Sequence, residues 1–167
     1  MVRVILIPVF LAVLYIGFTY SHFAAMAVFI IAGLTDILDG QIARRRDQVT
    51  DFGKFMDPLA DKVLVVAAML WFVERGDIPA WAALIVIIRE FMVTALRLIA
   101  VDKGRVISAA ISGKIKTIVS MVCLTVMFLP LKQWMIFTCV VLITVTTLVS
   151  GVEYFIKNKD ILNYGNR

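Results

Sequence analysis

Four aspartates carry the chemistry that this chain could do. They stand as Asp36-x-x-Asp39-Gly40-x-x-Ala43-Arg44, then eight residues, then Gly53-x-x-x-Asp57-x-x-x-Asp61. Their neighbourhood is mostly Val, Ile, Leu, Phe and Ala, where an ionised carboxylate costs several kcal/mol unless something pairs with it. Spacings of three and four put each pair on one helix face. Gly40, Ala43 and Gly53 leave room on those faces for a close backbone or a flat ligand. Two facing helices that each offer a carboxylate pair can hold one or two hard divalent cations. Oxygen-only donors favour Mg2+ or Mn2+ over Zn2+. Mg2+ keeps waters and binds substrate phosphates, so a phosphate-containing substrate follows. A further carboxylate could then take a proton from an attacking hydroxyl. The structural alternative is that the aspartates cap helix ends or pair with Arg44, Arg45, Arg46, Lys54 or Lys62.

The elements that must position these residues are membrane helices. Of 167 residues, 62% are hydrophobic and only 17% charged, with a mean hydropathy of +0.96. That apolar excess is too large for one small soluble core. Six apolar stretches are each long enough to cross a bilayer: about 3–20, 23–44, 53–74, 79–101, 108–129 and 132–156. The polar breaks between them leave no space for a soluble domain. The expected fold is therefore all-α and integral to the membrane. It is a single domain, a six-transmembrane-helix bundle with an active-site cavity on the cytoplasmic side. No secretory signal is visible. Cys123 and Cys139 lie in apolar runs and are expected to be free packing thiols.

The basic residues orient the bundle. Arg3, Arg44, Arg45, Arg46, Lys54, Lys103, Arg105, Lys114, Lys116, Lys157, Lys159 and Arg167 fall on one side; Arg75 and Lys132 fall on the other. By the positive-inside rule the first side is cytoplasmic and holds both termini. The four aspartates flank the turn between helices two and three on that side. A plasma-membrane, multi-pass protein is expected, with no nucleic-acid partner for its net charge of +5.

The pattern D-x-x-D-G-x-x-A-R, eight residues, G-x-x-x-D-x-x-x-D resembles the signature of the CDP-alcohol phosphotransferases, and every signature position is filled here. The resemblance implies that Asp36, Asp39 and Asp57 ligate two metal ions and that Asp61 completes the site and acts as the general base. It also implies that Asp39, Gly40, Ala43, Arg44 and Gly53 surround the cytidine diphosphate moiety, and that the protein is a homodimer.

The acceptor alcohol is addressed by helices four and five. Ile88-Arg89-Glu90-Phe91-Met92-Val93-Thr94-Ala95-Leu96-Arg97 puts two arginines and a glutamate into a membrane segment, so these side chains should face a wet cavity. Ser112-Gly113-Lys114-Ile115-Lys116-Thr117 opens the next segment. Arg89, Arg97, Lys114 and Lys116 together could bind an acceptor that is itself a phosphate ester. Their alternative role is contact with anionic headgroups. Glu90 either orients an arginine or bridges helices. These two runs resemble the phosphatidylglycerophosphate synthase branch of the family. That branch implies phosphatidyl transfer from CDP-diacylglycerol to glycerol 3-phosphate, with release of CMP. Family members usually open with an interfacial stretch resembling N-x-P-N-x-L-T-x-x-R; only its last residue, Arg3, is present, so that segment is expected to be absent.

Three other readings compete. The same chemistry could serve an inositol phosphate, serine or phosphatidylglycerol. A divalent-metal transporter would need acidic groups along a whole pathway, whereas these cluster at one end. A structural membrane subunit would explain neither the aspartates nor Arg89 and Arg97.

Overall fold

The computed structural model describes residues 2–46, 51–102 and 110–159, and the side chains of residues 6–33, 35, 62–100 and 110–159. The described residues form six α-helices and no strand: α1 (Val2–Ile16), α2 (Ser21–Arg46), α3 (Asp51–Glu74), α4 (Ala80–Asp102), α5 (Ile111–Met127) and α6 (Gln133–Lys157). These match the six apolar stretches to within a few residues. α1 stops before the expected position 20 because Gly17 adopts a φ of 69°, which the L side chains of its neighbours would resist. Gly76, at φ 80°, ends α3 in the same way, and the Asp77 N–H donates back to the Phe72 carbonyl at 2.9 Å.

Packing is closest between α5 and α6, between α1 and α2, and between α4 and α6. The inward stripe of α6 shows why. Ile136, Val140, Ile143, Thr144, Thr147, Ser150, Gly151 and Tyr154 are buried and recur at helical spacing. Much of the stripe is small, which lets backbones approach. The Thr144 and Thr147 hydroxyls donate to the carbonyls one turn earlier, Val140 at 2.8 Å and Ile143 at 2.6 Å, so they need no water.

The core falls into two parts. The larger cluster draws on all six helices, with Ala82, Ala83 and Val86 from α4; its centre is Phe128, just past the end of α5. The Phe128 ring lies 4.9 Å from Phe72, 5.6 Å from Trp71 and 6.0 Å from both Phe10 and Phe29. The smaller cluster is Val93, Leu96 and Ala100 of α4 against Tyr154 of α6. Arg89 and Glu90 lie on α4 between Val86 and Val93, and so mark the break between the two.

Among the described residues one helix, Gln133–Lys157, is long and apolar enough to cross a membrane by itself. α4 has the length, but Arg89, Glu90 and Arg97 interrupt its apolar run. Large apolar side chains face outward on several helices: Phe91 on α4, Ile118 and Val122 on α5, Phe137, Val145 and Val152 on α6. Cys123 and Cys139 are free thiols, as expected.

Candidate active site

The backbones of Asp36, Asp39, Gly40, Ala43 and Arg44 belong to the last turns of α2, and those of Gly53, Asp57 and Asp61 to the first turns of α3. All eight signature positions thus sit on two consecutive helices beside one short connection. Their side chains lie outside the described residues, and so do Lys103 and Arg105. The metal and cytidine assignments accordingly rest on the donor types and on this placement in helices. Among the described residues no three Asp, Glu, His or Cys side chains come together as a metal cluster.

One helical step beyond Asp61, the described part of the site begins. Lys62 of α3 reaches across to α4. Its ammonium donates to the Thr94 hydroxyl and to the Glu90 carbonyl at 3.4 Å, and lies 3.7 Å from Glu90 Oε2. Glu90 gathers two more cations on its other oxygen. Lys116 Nζ of α5 sits 2.6 Å from Oε1 and Arg89 Nη1 sits 3.0 Å from it. Lys116 is buried, at 4% exposure, which a lysine tolerates only with a charge partner. Glu90 is that partner. Three helices are thereby joined at one carboxylate.

Arg89 reaches this point between two glycines. A Cβ on Gly151 of α6 would lie 3.3 Å from Arg89 Cγ, and a Cβ on Gly113 of α5 would lie 3.5 Å from Arg89 Nη2. With Nη1 on Glu90, Arg89 Nε is buried and has no hydrogen-bond partner among the described residues.

The four basic residues expected at the acceptor phosphate therefore divide. Arg89 and Lys116 converge on Glu90. Arg97 lies about two turns further along α4, where its Nε donates to the Tyr154 hydroxyl at 3.1 Å and its guanidinium covers the Tyr154 ring at 5.7 Å. Lys114 is exposed on α5, two residues from Lys116 and so on a different face. Lys62, Thr94, Gly151 and Tyr154 were not anticipated as members of this layer. Glu90, Thr94 and Arg97 stand at i, i+4 and i+7, so their common face could have been read from spacing. The tie to Tyr154 crosses helices and could not.

The opposite end of the molecule holds an open groove of about 420 Å3, lined by Trp81, Phe137, Val141 and Val145 among others. Its one ionisable group, Asp77, already pairs with Arg75 at 3.1 Å.

Comparison with known proteins agrees with the signature. The family model for CDP-alcohol phosphatidyltransferase matches residues 1–149. The chain belongs to this family. Among curated relatives, it is 37% identical to the CDP-diacylglycerol--glycerol-3-phosphate 3-phosphatidyltransferase of Bacillus subtilis, with 98% of this chain and 94% of the relative covered. It is 46% identical to the Escherichia coli K12 protein of the same name, with 73% of this chain and 69% of the relative covered. Both relatives carry the activity that the arginine and lysine runs suggested.

Proposed function

We propose that this family member is a phosphatidylglycerophosphate synthase. It transfers a phosphatidyl group from CDP-diacylglycerol to glycerol 3-phosphate and releases CMP. The observation that carries this reading is the pairing of a complete CDP-alcohol signature with basic side chains gathered on Glu90, one of them Lys62, which follows Asp61 in α3. The first accounts for the donor. The second accounts for an acceptor that is already a phosphate ester, which serine is not. The names of the relatives support the same choice.

In this reading Asp39, Gly40, Ala43, Arg44 and Gly53 hold the cytidine diphosphate. Asp36, Asp39, Asp57 and Asp61 supply only carboxylate oxygens, a donor set that fits hard divalent cations such as Mg2+ or Mn2+. Bound there, two such ions would offset the charge of the diphosphate and of the departing CMP. Asp61 accepts the proton of the acceptor hydroxyl as that oxygen bonds to the β-phosphorus. The bond from the β-phosphorus to the bridging oxygen breaks, and CMP leaves with the electron pair. Arg89 and Lys116 hold the acceptor phosphate, with Arg97 and Lys114 nearer the entrance. Outward-facing apolar side chains on α4, α5 and α6 support a bundle embedded in lipid, with α1 to α6 each spanning. The excess of Lys and Arg at the aspartate end supports a cytoplasmic active site and cytoplasmic termini. A homodimer is part of the same proposal.

The test is CMP release by the purified chain given CDP-diacylglycerol, Mg2+ and each of glycerol 3-phosphate, serine, inositol phosphate and phosphatidylglycerol. Release with glycerol 3-phosphate well above the others is expected. Release with serine and none with glycerol 3-phosphate would overturn the assignment.

A further inference from the structure

Among the described residues, one carboxylate in the charged layer meets three cations. Lys62, Arg89 and Lys116 come from α3, α4 and α5, and all three touch Glu90. To neutralise a half-buried glutamate, one partner is enough. Arg89 and Lys116 on one carboxylate oxygen already leave positive charge in excess beside Glu90, and a phosphate monoester carries close to −2 at neutral pH. Cations brought this close repel one another, and Glu90 is what holds them together.

Glu90 also sets the direction of Arg89. A guanidinium has two edges that can form paired hydrogen bonds. Glu90 engages Nη1 on one of them. The other edge, Nε with Nη2, is the one with an unpartnered buried N–H, and a buried donor without an acceptor calls for one. Gly113 lies beside Nη2 and contributes no side chain to crowd it. On the far side, the grip on Lys62 fixes a residue adjacent to Asp61 in α3.

We propose that Glu90 is a positioning residue for the acceptor. It turns the Nε–Nη2 edge of Arg89 toward the acceptor's phosphate monoester, keeps Lys116 and Lys62 beside that edge, and ties the group to the α3 turn that carries Asp61. This rests on the phosphatidyl-transfer reading above.

The experiment measures initial rates of CMP release by the full chain, with each substrate varied in turn, for wild type, Glu90→Gln and Glu90→Asp. Glu90→Gln should raise the KM for glycerol 3-phosphate about tenfold or more, while the KM for CDP-diacylglycerol stays within about twofold. Glu90→Asp keeps the charge and should recover much of the loss. Because the acts of Glu90 and Lys116 are linked, the double variant Glu90→Gln/Lys116→Gln should have a KM for glycerol 3-phosphate close to that of Lys116→Gln alone. A purely structural Glu90 would instead lower activity toward both substrates together, or multiply with Lys116→Gln, and either result overturns the proposal. If Glu90→Gln fails to fold, a folded Glu90→Asp that raises the KM for CDP-diacylglycerol as much as that for glycerol 3-phosphate overturns it equally. Wild type that turns over glycerol 3-phosphate while Glu90→Gln keeps its acceptor KM removes the Glu90 role alone. Wild type that never uses glycerol 3-phosphate removes the parent reading and this role with it.

Discussion

The two ends of the bundle solve the problem of burial in opposite ways. Around Phe128, five aromatic rings from four parts of the chain fill the space between helices, and Arg75 touches them only from outside, over the face of Trp71 at 4.8 Å. Around Glu90, four charged side chains from three helices fill it with ion pairs and hydrogen bonds. The aromatic end gains by contact and is indifferent to exact charge. The charged end gains little net stability, because desolvation offsets most of the attraction. A layer that does little for stability and yet is fully assembled points to function. The contrast therefore predicts that substitutions at the two ends separate: activity falls at one, stability at the other.

The largest separation is expected at the aspartates. Asp61→Asn removes the proposed proton acceptor but keeps its size and polarity, and should lower the rate of CMP release by about 10^3-fold. Thermal unfolding followed by circular dichroism in detergent should stay close to wild type. Rates near wild type would strip Asp61 of the base role and leave the charged end without its main distinction.

The converse substitution is Phe128→Ala. The ring is buried, at 2% exposure, and its removal opens a cavity among Phe10, Phe29, Trp71 and Phe72. A loss of about 3 kcal/mol of stability is expected, the low end for a buried aromatic. At temperatures where the variant is folded, both KM values should match wild type. A raised acceptor KM in folded Phe128→Ala would mean that the two ends are coupled rather than separate.

The same contrast shows what could be read before the structure was known. The helices were legible because apolar runs and polar breaks alternate at membrane-spanning lengths, and α2 to α6 begin and end within a few residues of those breaks. The donor half of the proposed site is read from eight positions that are local in sequence and follow helical spacing; their backbones lie on α2 and α3, and their side chains are outside the described residues. Of the proposed acceptor half, the sequence shows only basic residues on two helices. Which of them meet depends on how α3, α4, α5 and α6 are rotated about their axes, and an apolar run facing lipid on one side and core on the other does not specify that rotation. Lys114 and Lys116 illustrate the difference: two residues apart, one is exposed and the other buried on Glu90. Tyr154 lies far along the chain from Arg97 and carries no local sign that it will accept from it.

The smallest predicted effect tests how finely the charged end is set. Gly151 and Gly113 flank the same side chain, but unequally. A methyl on Gly151 would come 3.3 Å from Arg89 Cγ, tight enough that the stem must move by a few tenths of an ångström; on Gly113 it would meet Nη2 at 3.5 Å, an ordinary contact. Alanine also suits a helix better than glycine, by roughly 0.5–1 kcal/mol, so neither variant should unfold more easily. Gly151→Ala is expected to keep or raise its melting temperature and yet increase the KM for glycerol 3-phosphate about threefold, since small misplacements of a binding group cost affinity. Gly113→Ala should leave that KM unchanged. A stabilised Gly151→Ala with impaired acceptor binding cannot be explained by damage to the fold, whereas equal effects of the two alanines would mean that the path of Arg89 between these helices does not matter to the acceptor.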